Sequence, residues 1–198
     1  MTHHRTNAFT LLELLIVVAI IAILAAIAVP NFLEAQTRSK VSRVKADLRT
    51  ITTAIESYVV DNNRVPFDGH PGQPHWGWVN AQRQLTTPVA YMTKVLSDPF
   101  QDDNFPDTGV AGHTHFIDYP ESKNHAYDYG TAYWHAVHLG QSPGYANNFR
   151  GSLWKIGSAG PDTQFDEGGS YYGMAQFYDP TNGTVSDGDV YRSMIGQH

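Results

Sequence analysis

Residues 9–29 read FTLLELLIVVAIIAILAAIAV, which is the longest apolar run in the sequence. It contains one charged residue, Glu13, and one hydroxyl, on Thr10; every other residue is Leu, Ile, Val, Ala or Phe. A helix of this length rises about 30 Å, which matches the hydrocarbon thickness of a bilayer. The stretch therefore predicts a membrane-spanning helix. Glu13 is a functional candidate because a carboxylate inside such a segment is costly unless it is neutralised. The alternative is an acid tolerated close to the membrane surface.

The same residues resemble the start of a type IV pilin superfamily protein. A leader (residues 1–8) with the basic residue Arg5 is followed by Glu13 and by an apolar run that ends at Pro30. The resemblance implies that a prepilin peptidase cleaves between Ala8 and Phe9, and that the new amine of Phe9 is methylated. The superfamily usually has Gly before the cut, where this sequence has Ala8.

The resemblance also implies which residues act in assembly, namely Thr10, Glu13 and Pro30. Glu13 lies where the superfamily keeps its acid, and Pro30 matches a proline that kinks the helix. In a filament, the amine of Phe9 from a neighbouring subunit would neutralise Glu13, so neither charge would be stranded in apolar surroundings. The implied partners are copies of the chain in a helical homopolymer, the prepilin peptidase, and an inner-membrane secretion or pilus assembly platform.

Composition and charge indicate what kind of domain follows the apolar helix. The chain has 198 residues and no cysteine, which leaves room for one soluble domain of about 135 residues without disulfides. Residues 31–64 carry six Lys/Arg against four Asp/Glu, whereas residues 65–198 carry six against fourteen. A nucleic-acid-binding domain needs a basic face, so no nucleic-acid partner is expected.

Two signals disagree about membrane orientation. Arg38, Lys40, Arg43 and Lys45 follow the apolar stretch, and the positive-inside rule alone would keep the C-terminal domain in the cytoplasm. The leader indicates the opposite orientation. We follow the leader, which predicts a single-pass inner-membrane protein whose C-terminal domain lies outside the cytoplasm and later joins a periplasmic or extracellular filament.

The helical pattern resumes after Pro30. Six apolar residues recur with alternating spacings of three and four, which predicts one buried stripe on an amphipathic helix; they are Val41, Val44, Leu48, Ile51, Ile55 and Tyr58. Pro30 should bend or loosen the helix without ending it, because the pattern continues. The helix is expected to stop near residues 61–63. A coiled coil is the alternative use of the stripe.

The remaining sequence predicts an α+β, pilin-like domain. Its parts are a loop over 64–80, short helical turns over 81–85 and 90–96, and strands over 126–137, 153–158, 172–178 and 190–194, with a turn at Asn182-Gly183. The predicted segments of the chain are thus the leader (1–8), the filament-core helix (9–30), the amphipathic helix (31–63) and a C-terminal domain (64–198) with three or four antiparallel strands packed on the helix.

The C-terminal domain resembles the major pseudopilins of type II secretion. Residues 88–92, the Asp98-Pro99-Phe100 tract and Tyr127-Asp128-Tyr129 carry the resemblance. Residues 158–162 (SAGPD) and 187–189 (DGD) are similar to the pseudopilin calcium loop, and by that match Asp162, Asp187 and Asp189 are candidate calcium ligands. Asp166 is a further candidate because it lies close by in sequence. The alternative is that Asp and Gly are simply turn residues.

No catalytic motif stands out, so the chain is not expected to be an enzyme. The preferred function is a structural filament subunit, most like a pseudopilin of a type II secretion system, and a major or minor pilin of a surface filament is the alternative. Two other hypotheses stay open. One is a membrane-tethered module that binds a glycan through Trp76, Trp78 or Trp134; the other is an anchored enzyme with a zinc site at His113, His115 and His125.

Overall fold

The structure, a computed structural model, describes residues 10–67, 77–101, 127–132, 149, 151–163, 177–181, 186, 188–194 and 196–197. In chain order its elements are α1 (Leu11–Asn62), α2 (Gly77–Gln84), β1 (Asp128–Thr131), β2 (Trp154–Ser158), β3 (Val190–Ser193) and β4 (Gly196–Gln197). A long helix and a small antiparallel sheet confirm the predicted α+β class.

Helix α1 is continuous from Leu11 to Asn62, through Pro30. At about 1.5 Å per residue it is roughly 78 Å long. It ends where Asn63 takes a left-handed conformation (φ 51°) and donates its backbone N–H to the carbonyl of Val59 at 2.8 Å. Asn is one of the few residues that adopt this conformation readily, so the predicted end near residues 61–63 is confirmed.

The C-terminal half of α1 supplies one side of the domain core. All six residues of the predicted stripe are buried, and Thr52 and Ala54 are buried beside them. The sheet and loop residues of the same cluster include Leu85, Met92, Phe100, Tyr127, Trp154 and Val190. The stripe therefore packs against the rest of its own domain.

The sheet has four antiparallel strands in the order β1-β2-β3-β4. Side chains alternate across strand β2: Trp154 and Ile156 join the core beside α1, whereas Lys155 and Gly157 lie on the opposite face. A second, smaller cluster of Phe149 and Tyr191, with Ala132 against it, covers that opposite face. The sheet is therefore buried on both sides at its centre.

Several predicted boundaries differ from the structure. The predicted loop over 64–80 was too long, because α2 begins at Gly77. The predicted helical turn over 90–96 is wrong: there the chain bends back, and Tyr91 and Met92 both donate their N–H groups to the carbonyl of Leu85. Strand β1 covers 128–131 within the predicted 126–137. Of the predicted strand 172–178, only Phe177 and Tyr178 are described, and Phe177 forms a single parallel bridge to Asp189. The predicted turn at Asn182-Gly183 lies outside the described residues.

A polar clasp, formed by Asp61, Asn62, Phe67, Gln84 and Tyr91, holds the end of α1 to the following loops. The Tyr91 hydroxyl donates to Asp61 at 2.9 Å and accepts from the side-chain amide of Asn62 at 3.3 Å. Gln84 makes two hydrogen bonds to the backbone of Phe67: its Nε2 donates to the carbonyl at 2.8 Å, and its Oε1 accepts the N–H at 3.1 Å. These contacts join three segments that no local sequence pattern connects.

Candidate assembly site and C-terminal loops

The first half of α1 carries its apolar side chains without protein neighbours. By length and composition α1 can cross a membrane, and no residue of its most apolar 18-residue segment is buried within the protein. Leu11 is 87% exposed and Leu24 is 61% exposed. An exposed apolar surface of this size is stable only when lipid or other protein covers it, because burying apolar surface contributes roughly 25 cal/mol per Å².

Glu13 and Thr10 form a capping box at the start of α1. The carboxylate of Glu13 accepts the backbone N–H of Thr10 at 2.9 Å and its hydroxyl at 2.8 Å. In return, the hydroxyl of Thr10 accepts the N–H of Glu13 at 3.2 Å. This arrangement satisfies donors that the first helical turn leaves without partners. Its signature in the sequence is Thr-x-x-Glu before an apolar run, although the cap was not among the predicted features.

The capping box gives the Glu13 carboxylate polar partners within its own chain. A carboxylate with local donors is less costly in apolar surroundings than an isolated one, but its negative charge remains. The predicted cleavage and methylation residues, Ala8 and Phe9, lie outside the described residues. Pro30 lies inside the continuous helix.

The four basic residues that follow the apolar segment all have partners in the folded chain. Arg38 pairs with Glu34 one turn earlier, and Arg43 lies 3.6 Å from Asp47. The ammonium of Lys40 lies 5.5 Å from the ring centroid of Phe100, and that of Lys45 lies 5.5 Å from the ring of Tyr178. These cations thus contribute to helix and domain packing, which gives them a role other than setting membrane orientation.

Asp98, in the tract that resembles the pseudopilins, is buried beside the end of β2. One carboxylate oxygen accepts the N–H of Phe100 at 2.9 Å. Burial raises the pKa of Asp98 to about 6, and it outweighs the hydrogen bonds from Phe100, Ser158 and Ala159 that favour the charged form. The loop that carries Asp98 is therefore fastened to the start of the predicted calcium loop.

Nearby, Asp47 on α1 accepts a 2.8 Å hydrogen bond from the hydroxyl of Tyr127. Burial, and then this bond to Asp47, raise the pKa of the Tyr127 hydroxyl well above its ordinary value. Tyr127 therefore stays protonated and keeps donating to the helix.

The two parts of the predicted calcium loop meet in the structure at two glycines. A Cβ on Gly160, whose φ is +68°, would lie 2.5 Å from the carbonyl oxygen of Gly188. A Cβ on Gly188 would lie 2.4 Å from the carbonyl of Phe177. Only glycine permits approaches this close, so residues 158–163 and 188–189 are held directly against each other.

The structure describes two of the four aspartates that are candidate calcium ligands. Asp162 is half-buried, on the turn that follows Gly160. Asp189 is fully buried, and its Oδ2 accepts the hydroxyl of Tyr191 at 2.9 Å. Asp166 and Asp187 lie outside the described residues. Within the described part of the chain, no group of three or more His, Cys, Asp or Glu side chains is placed to hold a metal ion.

The glycan-binding hypothesis rests on Trp76, Trp78 or Trp134, and the zinc-enzyme hypothesis rests on His113, His115 and His125. These histidines, Trp76, Trp134 and the side chain of Trp78 lie outside the described part of the chain.

Residues 3–29 match the family described as the Prokaryotic N-terminal methylation motif. The type IV major pilin protein PilA of Myxococcus xanthus is 53% identical over 60 residues, which is 30% of this chain and 27% of that protein. The type IV major fimbrial protein FimA of Dichelobacter nodosus is 45% identical over 75 residues, or 38% of this chain and 44% of that protein. The type II secretion system core protein G of Pseudomonas aeruginosa is 36% identical over 66 residues, or 33% of this chain and 46% of that protein.

The chain thus spans less than half the length of each of these relatives. No solved structure matches it significantly. The names of the relatives are those of structural subunits and not of enzymes, in agreement with the prediction that this chain is not an enzyme. The methylation motif, these relatives, and a long apolar helix packed on a small antiparallel sheet together support membership of this chain in the type IV pilin superfamily.

Proposed function

We propose that this chain is a structural subunit of a type IV pilus-like filament and polymerises through its N-terminal helix. The observation that carries the proposal is the division of α1 into two halves. The C-terminal half forms the core of a folded domain, whereas the apolar half from Leu11 onward is exposed along its length. A single subunit must keep that half in a membrane, and a filament buries it between subunits.

Within this class, we propose a pseudopilin of a type II secretion system. Three observations support the proposal: the relative named as core protein G, the buried Asp98 contact beside Ser158, and the absence of cysteine. A pilin of a surface filament is the second candidate, and the relatives in Myxococcus xanthus and Dichelobacter nodosus favour it.

Deleting the gene in its host distinguishes the two candidates. A pseudopilin deletion should leave secreted proteins trapped inside the cell envelope while surface filaments persist. A pilin deletion should remove the surface filaments and leave secretion intact. Electron microscopy of cells that overproduce the chain tests the broader proposal, since a filament subunit should form filaments and a mere membrane tether should not.

We further propose that the mature chain begins at Phe9 and carries a methylated amine, after cleavage by a prepilin peptidase at the inner membrane. The match of residues 3–29 to the methylation motif supports this proposal. The intact mass of membrane-extracted protein should correspond to residues 9–198 plus one methyl group. A chain that retains residues 1–8 in cells with an active peptidase would contradict it.

We also propose that the domain binds calcium through Asp162, Asp187 and Asp189, with Asp166 as a weaker candidate. A ligand that binds only the folded chain stabilises it by about 2.7 kcal/mol at a hundredfold excess over Kd, which is several degrees in a thermal melt. Melts in calcium and in chelator should differ by that amount, and Asp187→Ala should remove the difference.

A further inference from the structure

The uncharged part of α1 has the length of the hydrocarbon core of a bilayer. Twenty residues, 14–33, separate Glu13 from the next charged residue, Glu34. At about 1.5 Å per residue they rise about 30 Å, which is the hydrocarbon thickness, and all of them are exposed in the folded chain. If α1 crosses a membrane as proposed, the hydrocarbon ends near Leu33, and the next residues lie at the depth of the lipid headgroups.

Three basic residues follow on α1 just beyond this point, and we name Arg38, Lys40 and Arg43 the basic collar. Their Cα atoms lie about 8, 11 and 15 Å along the helix from that of Leu33. Helical side chains lean toward the N-terminus, which here is toward the membrane. The headgroup layer is about 5–8 Å thick, and charges interact across about 8 Å at physiological salt. The collar therefore lies within electrostatic reach of the headgroups.

The basic collar is exposed, although its members also have contacts within the chain. The side chains of Arg38 and Arg43 remain 66% and 58% exposed beside acids one turn away, and Lys40 is exposed as well. Ion pairs with this exposure are weak and leave the cations accessible to a second partner. Residues 31–43 contain these three bases and a single acid, Glu34, so this stretch has a net charge of +2.

The arrangement of the collar around the helix favours a surface as its partner. Arg38 and Lys40 are two residues apart, so they project about 200° from each other around α1, on nearly opposite sides. A protein that docked on one face of the helix would contact only one of them. A layer of headgroups surrounds a helix that passes through it, and can contact both.

We propose that the basic collar binds anionic lipid headgroups on the side of the membrane where the C-terminal domain lies. This inference rests on the proposed placement of α1 across a membrane. Basic residues next to a membrane-spanning segment are attracted to anionic lipid, and three of them should favour an anionic over a zwitterionic lipid about tenfold. The bound headgroups fix the depth of α1, and these contacts must be released when the subunit leaves the membrane for a filament.

The test is native mass spectrometry of the full-length protein in an uncharged detergent, titrated with phosphatidylglycerol or with phosphatidylcholine. The unmodified protein should bind phosphatidylglycerol about tenfold more tightly. A triple variant with Arg38→Gln, Lys40→Gln and Arg43→Gln should bind the two lipids equally. Equal affinities in the unmodified protein, or an unchanged preference in the triple variant, would overturn the proposal.

Single substitutions separate the position of a charge from its number. Arg49→Gln is the matched control for Arg38→Gln, because Arg49 is an exposed arginine on the same helix about 24 Å beyond Leu33. Arg38→Gln should reduce the lipid preference at least about twofold, whereas Arg49→Gln should leave it unchanged. Equal reductions from the two variants would mean that overall charge, and not the collar, selects the lipid.

Two further variants keep the test independent of any loss of folding. Arg38→Lys keeps the charge and should keep the preference. Glu34→Gln removes the one acid of this stretch, so it should raise the preference for phosphatidylglycerol, and a fall would contradict the proposal.

Flotation separates this inference from the proposed placement in a membrane. The unmodified protein and the triple variant should both float with pure phosphatidylcholine vesicles, because the apolar half of α1 holds them there. A chain that does not float would contradict the placement and the collar together. Flotation without any preference for phosphatidylglycerol would contradict the collar alone.

Discussion

At the scale of single residues, Glu13 has a local structural role and a proposed role between subunits. In the single chain it accepts the N–H and the hydroxyl of Thr10 and caps α1. In the proposed filament, its charge pairs with the amine of a neighbouring Phe9. The first role needs an oxygen acceptor at this position, whereas the second needs a negative charge. One substitution can therefore separate the two roles.

Glu13→Gln should retain the helix cap and lose assembly. Capping boxes accept Gln as well as Glu at this position, so expression and membrane insertion should remain near normal. An unmatched buried amine costs on the order of 3–5 kcal/mol, so filament yield should collapse. The measurement is the yield of sheared filaments relative to the subunit in the membrane. Glu13→Leu serves as the comparison because it removes both cap and charge, and wild-type filament yield from Glu13→Gln would exclude a role for the charge.

Asp98 should make the stability of the domain depend on pH. Its folded pKa of about 6 lies above its ordinary value of 3.8, so the fold favours the protonated form. The associated stability is fully present below about pH 4 and is lost as the pH rises through about 6. A shift of this size corresponds to about 3 kcal/mol between these limits.

The measurement for Asp98 is urea unfolding from pH 4 to pH 7.5 for wild type and Asp98→Asn. Asn is isosteric and carries no charge, so the variant should gain stability relative to wild type by up to about 3 kcal/mol as the pH rises. A difference that does not change with pH would contradict the assignment. Asp179 is a suitable control site because its pKa is lowered by hydrogen bonds from Thr181, and Asp179→Asn should give the opposite trend with pH.

At the scale of secondary-structure elements, α1 depends on contacts made by segments far along the chain. Tyr127 bonds to Asp47 across 80 residues, and Tyr129 bonds to the carbonyl of Pro66 across 63 residues. The clasp holds α2 and the loops on either side of it to the end of the helix. The helix is thus the element against which the other parts of the domain are positioned.

Gln84→Ala should loosen the clasp. The substitution removes both hydrogen bonds to the backbone of Phe67, and one such bond contributes about 0.5–1.5 kcal/mol to stability. Urea unfolding of the full-length protein in detergent should therefore show a loss of about 1–3 kcal/mol, and amide hydrogen exchange should increase near Phe67. Gln36→Ala is the control, because Gln36 is exposed on α1 and its loss should change stability by less than about 0.5 kcal/mol.

At the scale of the whole molecule, the distribution of positive charge bears on the orientation of the chain in the membrane. The basic residues after the apolar segment oppose export under the positive-inside rule, yet each has a partner in the folded chain. We expect that these residues are basic because of the contacts that they make in the folded chain. We expect the leader to set the membrane orientation, so that the C-terminal domain lies outside the cytoplasm.

Labelling of an introduced cysteine tests that orientation. The chain has no cysteine of its own, and Arg83 is exposed, so Arg83→Cys provides a single reactive thiol. A membrane-impermeant maleimide should label it in intact spheroplasts. Lysed spheroplasts provide the control for reactivity. Labelling that occurs only after lysis would place the domain in the cytoplasm.

The sequence alone is enough to predict the long helix and its division into an apolar half and an amphipathic half. The apolar run and the stripe from Val41 to Tyr58 depend on the periodicity of neighbouring residues, and the stop near Asn63 depends on local backbone preference. Such features are local, so they can be predicted without knowledge of the fold. The α+β class is predictable in the same way, since strand-like runs after a long helix leave few other arrangements.

The surroundings of Asp98, Lys155 and Asp189 could not be predicted from the sequence, because they depend on the three-dimensional fold. In the sequence, Lys155 is one charged residue in a strand and Asp189 one acid in a Gly-rich loop. Their shared contact with Tyr191 arises because β2 and β3 pair with Gly157 opposite Tyr191. No local pattern specifies this strand register, which depends on packing between segments more than thirty residues apart. Burial in that packing, and not residue type, determines which acids carry a structural role.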